Sequence, residues 1–355
     1  MAQYLSVYPV AQKSSYVPLD VIEFQLDVPV GQSLLLNSIT FSGVLNPPTN
    51  EESLFMDGVA GIHAFFNNIN TVLISQAGYQ TVESLSSYPR YVKMARTATM
   101  TKNDYCNTSS LRTELVDIVE NSQVYLTGIP QAFSFKPQIC LNKASTLDGT
   151  PAFLSSGVVK IQFRLVSSVE CFFGAEMNAQ SFSISDLRCD YTSAPVQKKS
   201  PVICEVIQEL RQIIQSKQAA ITSSLPMSSY SVSGSCQLSA DEYNTLTNNL
   251  SLDYITGLSA IQYGFNSSSS NYIFTLDNLT SILEYGINSI APLNGVRKHD
   301  ISVEDVEQDK KLLVGLSYSD SPLESLGQLM MTISSNADYI NKVNLYLFFK
   351  TTGVL

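Results

Sequence analysis

Few residues in this chain could carry out acid–base or nucleophilic chemistry, and their surroundings do not favour it. There are two histidines, His63 and His299, and a Ser-His-Asp triad would have to use one of them. His63 lies in the apolar segment 61–66 and is predicted to be a packed or capping side chain. His299 lies in a polar segment and is predicted to be exposed. Since the sequence also lacks a Gly-x-Ser-x-Gly motif, we expect no catalytic residues.

The sequence is equally poor in patterns that bind metals or cofactors. The acidic segment 304–309 lacks the glycine and the alternating oxygen ligands of a calcium loop. No His-x-x-x-His spacing and no glycine-rich phosphate loop occurs. The cysteines are scattered and form no Cys-x-x-Cys pair, which predicts buried thiols rather than zinc ligands or a redox pair. They are Cys106, Cys140, Cys171, Cys189, Cys204 and Cys236. We therefore predict no metal and no cofactor.

The charge of the chain argues against direct contact with nucleic acid. The formal net charge is −10, and the longest basic runs are pairs, among them Lys198-Lys199 and Lys310-Lys311. A protein that neutralises phosphates needs a basic face or arm, and neither is visible. No run of 18 apolar residues predicts a membrane span. The first ten residues lack the pattern of a secretion signal, so we expect synthesis in the cytoplasm.

Alternating hydrophobicity is the clearest structural signal and predicts antiparallel sheets. Segment 22–28 places apolar residues at every even position, and segment 159–165 repeats the pattern with charged residues between the apolar ones. In a strand, alternate side chains point to opposite faces, so each segment has one buried and one wet face. The same reading applies to 133–141, with Cys140 on the polar face, and to 312–318 and 343–349.

Helical signals are sparse. Residues 91–96 follow Pro89 and predict a short helix in a loop between strands. Segment 203–221 is ambiguous, because its apolar residues fit one face of a helix while its ends also permit strands. Periodicity alone favours the helix, and the choice between helix and strand at 207–219 stays open.

The length and the internal repetition predict two tandem domains. A chain of 355 residues exceeds the usual size of a single core. Segment 193–201 has the composition of a linker, which gives domains at 1–192 and 202–355. An offset of 158 positions superposes Leu187 on Leu345 near the end of each half. Segment 24–29 is similarly matched by 220–226.

Several segments then resemble a known family. Residues 34–43 look like an early strand, 58–69 like a glycine-rich entry into the next strands, and 83–94 like a Tyr-Pro turn that leads into a short helix. Residues 258–265 look like a strand of a second barrel. With two β domains and no catalytic residues, the chain resembles the double jelly-roll major capsid proteins of icosahedral DNA viruses. The resemblance implies an all-β fold of two tandem eight-stranded antiparallel jelly rolls with short helices in loops.

The same resemblance implies a function. Three chains would form a pseudo-hexameric capsomer, and capsomers would tile a shell in the virion. Partners would be two further copies, neighbouring capsomers, penton or minor capsid proteins and an inner membrane. It also favours strand character near 202–206 and 220. The alternatives are a viral spike, penton or lectin-like receptor-binding protein of the same fold class, and a β-rich enzyme that uses two carboxylates. A shell subunit tiles through broad surfaces, whereas a spike or lectin presents a tip or a pocket.

Overall fold

The computed structural model describes most of the first half of the chain and the strands and one helix of the second. The described residues are 2–48, 54–75, 78–101, 118–119, 123–126, 129–146, 150–155, 157–173, 181–195, 201–214, 218–223, 229–238, 250, 258–266, 271–276, 279–290, 314–317, 328–335 and 343–354. His299, the acidic segment 304–309, Cys106, Leu312 and Tyr318 lie outside them.

The fold is built almost entirely of antiparallel strands. In the first half the strands are β1 (Gln3–Val7), β2 (Ser15–Tyr16), β3 (Val21–Asp27), β4 (Gln32–Leu35), β5 (Thr40–Asn46), β6 (Leu54–Asp57), β7 (Phe66–Ser75), β8 (Gly78–Leu85), β9 (Ile118–Val119), β10 (Gln123–Leu126), β11 (Gln131–Phe135), β12 (Ser145–Thr146), β13 (Phe153–Leu154), β14 (Val158–Leu165), β15 (Phe172–Phe173) and β16 (Ser183–Pro195). In the second half they are β17 (Val202–Ile214), β18 (Gln218–Ser223), β19 (Ser229–Leu238), β20 (Leu258–Asn266), β21 (Asn271–Leu276), β22 (Val314–Ser317), β23 (Gln328–Ser335) and β24 (Val343–Val354).

The two halves share one pattern of strand pairing. In the first half, one sheet has the order β3-β14-β7-β8, and the other contains β11-β5-β16 with β1 and β2 paired to β16. In the second half the corresponding orders are β18-β23-β20-β21 and β17-β24-β19-β22. In the second half β24 thus pairs with β17 and β19, and β23 pairs with β18 and β20. In the first half β16 likewise pairs with β1 and β5, and β14 pairs with β3 and β7. This nesting of late strands between early ones is the arrangement of a jelly roll.

The internal repeat in the sequence matches this topology. Segments 182–191 and 340–349, matched at an offset of 158, fall largely on β16 and β24, the last strands of the two halves. Segment 24–29 overlaps β3, and the described part of segment 220–226 lies on β18; these two strands pair with β14 and β23 at the edges of their sheets. Residues 224–226 lie outside the described part of the chain. Similar sequence therefore occupies equivalent places in the two halves.

Helices lie in the connections. They are α1 (Tyr88–Thr99), α2 (Ser168–Cys171) and α3 (Leu279–Ile290), with 3-10 turns at Gly61–Phe65 and Cys140–Lys143. Helix α1 contains the predicted helix 91–96 but begins earlier, at Tyr88, so that Pro89 lies in its first turn, where proline costs no hydrogen bond. In contrast to an ordinary loop helix, ten of its twelve side chains are buried. No helix among these residues is both long enough and apolar enough to cross a bilayer.

Several strand predictions are confirmed by the burial pattern. On β3 the buried side chains are Ile22, Phe24 and Leu26, and their neighbours are partly or fully exposed. On β14 the residues Val159, Ile161, Phe163 and Leu165 are fully buried. The predicted strand at 258–265 is β20. On β3 and β14 one apolar face is buried in the interior, which is what alternation requires.

Other predictions need correction. The helical spacing of 203–221 is overridden, since β17 pairs with β24 from Ile203↔Val354 to Ile214↔Val343, and residues 218–223 form β18. Residues 34–43 are parts of two strands joined by a turn, with Asn37 at φ 67°. Alternation ends at Phe135, and Cys140 is buried in a 3-10 turn rather than on a polar face. Residues 346–351 of β24 are all buried, so both faces of this part of the strand are covered, and α1 contacts one of them through Tyr91 and Phe348.

The boundary between the halves is tighter than the composition suggested. Residues 193–195 are not linker, because they end β16 and pair with β4. Strand β17 begins at Val202, and β12 from the first half pairs with its start. The division of the chain into domains at 1–192 and 202–355 stays a prediction.

Candidate functional site: the junction between the two halves

One continuous core joins the two halves. Buried residues of β17, α3 and β24 belong to the same apolar cluster as the interior of the first half. The second-half members are Val202, Cys204, Ile207, Ile287, Ile290, Tyr346 and Phe348. We call this contact region the junction. Its first-half elements are β8, α1 and the turn Cys140–Lys143, which pack on β17 and α3. Since close-packed interiors resist sliding, the junction fixes one half against the other.

A buried carboxylate ties β8 to both sides of the junction. Glu83 accepts a hydrogen bond from the Cys140 backbone N–H at 2.8 Å and another from the Ile207 backbone N–H at 3.2 Å. Burial raises the pKa of Glu83, while nearby Lys143 and the two backbone donors act to lower it. The side chain is 2% exposed. A single side chain thus satisfies backbone donors from the first and the second half.

A second carboxylate crosses the junction in the opposite direction. Glu209 on β17 accepts hydrogen bonds from the backbone N–H groups of Ser86 and Ser87, both at 2.7 Å. Ser87 is the residue before α1, and its own side chain makes no capping bond. A helix start carries unsatisfied N–H groups and partial positive charge, so an anion there is stabilising. The second half therefore supplies the cap for the central helix of the first.

Aromatic rings and cations fill the space between these two carboxylates. The Tyr91 and Phe348 rings lie 5.5 Å apart. The Lys143 Nζ donates to the Tyr91 hydroxyl. The guanidinium groups of Arg90 and Arg211 lie 4.9 and 5.4 Å from the centre of the Tyr346 ring. Cations over aromatic faces attract the ring electrostatically, so this contact joins α1, β17 and β24.

The inner side of α1 holds a second polar cluster. Lys93 forms a 2.6 Å ion pair with Asp57, and both side chains are nearly inaccessible. Arg96 donates to the Val59 carbonyl at 3.0 Å and to His63 Nε2 at 2.9 Å. Because a guanidinium can only donate, Nε2 is the acceptor and the His63 proton is on Nδ1.

This assignment makes His63 a neutral structural residue. Its Nδ1–H donates to the Tyr88 hydroxyl at 2.7 Å, and that hydroxyl also accepts from the Gln138 backbone N–H at 2.9 Å. Burial first, and then the charge of Arg96, holds the pKa of His63 well below its usual value. The prediction that His63 is a packed side chain is confirmed, since it is fully buried.

A cleft opens at the start of α1. Its volume is about 560 Å³. Its polar lining includes Arg90, Arg211, Glu170, Glu209 and Asn67. The two glutamates are already engaged, Glu209 as described and Glu170 in a capping box with Ser167. Charges of both signs balance in the cleft. We assign it no substrate.

Four of the cysteines considered from sequence have described side chains, and two of them, Cys140 and Cys204, lie in the junction. Cys140, Cys171, Cys189 and Cys204 are buried, as predicted for thiols without a metal or redox role. Burial raises the pKa of the Cys140, Cys171 and Cys189 thiols, which makes them poor nucleophiles. Within the described residues, no three potential ligands are grouped closely enough to hold a metal ion.

Sequence reasoning missed the junction residues. Arg90, Lys93 and Arg96 recur every three residues and so share one stripe of α1, a spacing that could have marked the helix as buried and polar. Glu83 and Glu209 carry no such signal, because a glutamate in an alternating strand is expected to face water. Their role depends on which backbone donors another part of the chain brings to them.

Comparison with known proteins bears on the fold. No protein-family model matches the chain, and no curated protein is similar in sequence. The Faustovirus major capsid protein superposes with a TM-score of 0.53 at 9% identity, over 100% of this chain and 90% of that one. A chain from the structure of the Sputnik virophage superposes with a TM-score of 0.57 at 12% identity, over 100% of this chain and 86% of that one. At such low identity the likeness bears on architecture, and it extends over the whole chain. This chain therefore has the double jelly-roll fold of the Faustovirus major capsid protein.

Proposed function

We propose that this chain is the major capsid protein of an icosahedral virus and that its work is structural. The observation that carries the proposal is the likeness of its fold, over its full length, to the Faustovirus major capsid protein. The junction supports the proposal, because its charged and polar groups hold the two halves together and the two glutamates of its cleft are engaged in hydrogen bonds. In this proposal the protein is not an enzyme and needs no cofactor.

We propose further that three copies form a pseudo-hexameric capsomer. The two halves share the same order of strand pairing, so three copies would present six similar blocks around one axis. Such a ring needs a fixed angle between the halves of each chain. The continuous core and the two crossing carboxylates provide that rigidity, which a flexible linker would not.

The proposed partners follow from this role. They are two further copies of the chain, neighbouring capsomers, penton or minor capsid proteins and an inner membrane. With a net charge of −10, we expect no direct binding to the genome, since like charges repel. The protein would be made in the host cytoplasm and reside in the virion.

The test is the mass of the purified full chain in solution by light scattering, together with negative-stain images of the same peak. We expect a mass three times the 39.0 kDa of one chain and a hexagonal outline. A single 39.0 kDa species at every concentration from micromolar upward would contradict the proposal and favour a binding protein of the same fold.

A further inference from the structure

Exposed apolar side chains are concentrated at the start of the chain. Of the ten large apolar residues that lie exposed among the described residues, six fall within the first 21 positions. We call this set the N-terminal strip, and its members are Tyr4, Tyr8, Val10, Val17, Leu19 and Val21. Single exposed apolar residues are ordinary, but a group of them marks a surface that another molecule covers.

The strip is held in place by the body of the first half. Strand β1 pairs with β16 along its full length. The Val10 N–H donates to the Glu23 carbonyl at 2.8 Å, and the Leu19 N–H donates to the Leu165 carbonyl at 3.1 Å. Between these points Tyr16 is buried, and its hydroxyl donates to the Ala11 carbonyl. The strip is thus a fixed surface along the edges of both sheets.

Leu19 occupies a position where leucine is doubly unfavourable. Residues 17–20 form a turn in which the Asp20 N–H donates to the Val17 carbonyl at 3.1 Å, with proline second and Leu19 third at φ 71°. A positive φ at the third position defines a type II turn and favours glycine or asparagine. The Leu19 side chain is also 50% exposed. A partner that covers the exposed part of the Leu19 side chain would offset both costs.

The charge of the strip identifies that partner. One copy carries a net charge of −10, so two copies repel unless they meet through a neutral surface. The first 22 residues contain one lysine and one acid, and these form the Lys13–Asp20 ion pair at 2.8 Å. A neutral apolar surface suits contact with an equally acidic copy of the same chain. We propose that the N-terminal strip binds a second copy of this chain within the assembly, an inference that rests on the proposed function.

The test compares the full-length wild type with two strip variants and one control. The variants are Leu19→Asn alone and Leu19→Asn combined with Val17→Thr and Val21→Thr. The control, Val30→Thr with Tyr79→Ser, alters apolar side chains outside the strip that are more exposed than those changed in the strip variants. Sedimentation velocity over a dilution series gives the concentration at which the trimer dissociates. We expect that concentration to rise at least tenfold in the triple variant and to stay unchanged in the control.

A second measurement distinguishes weaker association through the strip from a folding defect in the variant. Asparagine tolerates a positive φ better than leucine does, so Leu19→Asn should raise the denaturant midpoint of the dissociated monomer while it weakens association. Unaltered dissociation of the triple variant would overturn the inference and leave the proposed function standing. A wild type that never forms trimers would instead overturn the proposed function. If the triple variant assembles normally but loses binding to phospholipid vesicles that the wild type binds, the strip faces a membrane and the inference is wrong.

Discussion

Helices α1 and α3 occupy equivalent places in the two halves but differ in chemistry. Each has twelve residues and follows the outer strand of a four-stranded sheet, β8 in the first half and β21 in the second. Helix α1 carries Arg90, Lys93 and Arg96, all buried. Helix α3 contains no lysine or arginine, and its Glu284 is exposed. The two helices contact each other across the junction. The repeat therefore fixes topology, while the place of a helix in the whole molecule decides which charges it can bury.

The largest expected loss of stability comes from breaking the ion pair between Lys93 on α1 and Asp57. Lys93→Met leaves the Asp57 carboxylate buried and without its counter-ion. Removing one partner of a buried pair costs about 3–5 kcal/mol of unfolding free energy. Denaturant titration at neutral pH measures the loss. Adding Asp57→Asn removes the stranded charge, so the double variant should be more stable than Lys93→Met alone. A double variant that is less stable would show that the ion pair is not the cause.

A smaller effect comes from pH and the neutral His63. Because the folded-state pKa is depressed, below about pH 6.5 the unfolded chain takes up a proton at this histidine that the folded chain does not. Stability then rises with pH in that range and falls on acidification, by about 1.4 kcal/mol per pH unit until the folded-state pKa is reached. Unfolding free energies from pH 7 to 5 measure this slope.

The control for His63 is the variant His63→Gln. In this variant the unfolding free energy should lose the part of its pH dependence that the histidine contributes. Glu83 acts in the opposite sense, because its raised pKa gives stability that is present at low pH and lost as pH rises above its usual value of 4.5. The difference between wild type and His63→Gln isolates the histidine. Identical slopes in the two proteins would contradict the assignment of a neutral, buried His63.

The smallest expected loss of stability comes from removing one carboxylate at each of the two helices, which compares the helices directly. Glu209→Ala removes the acceptor for the N–H groups of Ser86 and Ser87 at the start of α1. Loss of a cap costs about 1 kcal/mol. Glu284→Ala on α3 removes an exposed carboxylate and should change stability by less than about 0.5 kcal/mol. Both values come from denaturant titration. Equal losses for the two variants would mean that Glu209 does not cap α1.

Parts of the junction could have been read from the sequence. A short helix near Pro89 was predictable, because proline fits the first helical turn, although the helix begins at Tyr88 rather than after the proline. The stripe of Arg90, Lys93 and Arg96 was visible as a spacing. By contrast, Glu83 and Glu209 bond to backbone N–H groups more than 120 positions away in the chain. No local pattern encodes a partner so distant.

By itself, the sequence determined the all-β class, the repeated halves and the packed His63. Each of these can be recognised in segments of a few residues: the first from alternating apolar residues, the second from similar segments in the two halves, and the third from the apolar neighbours of the histidine. The tertiary structure decided the conformation of 207–214, where helical spacing and strand pairing competed. There β17 pairs with β24 from Ile203 to Ile214, and residues 346–351 of β24 are buried on both faces, one of which contacts α1. Continuous hydrogen bonding to the buried strand β24 outweighs the helical spacing of this segment. A buried backbone must satisfy its hydrogen bonds, whereas the local preference for helix or strand contributes little free energy.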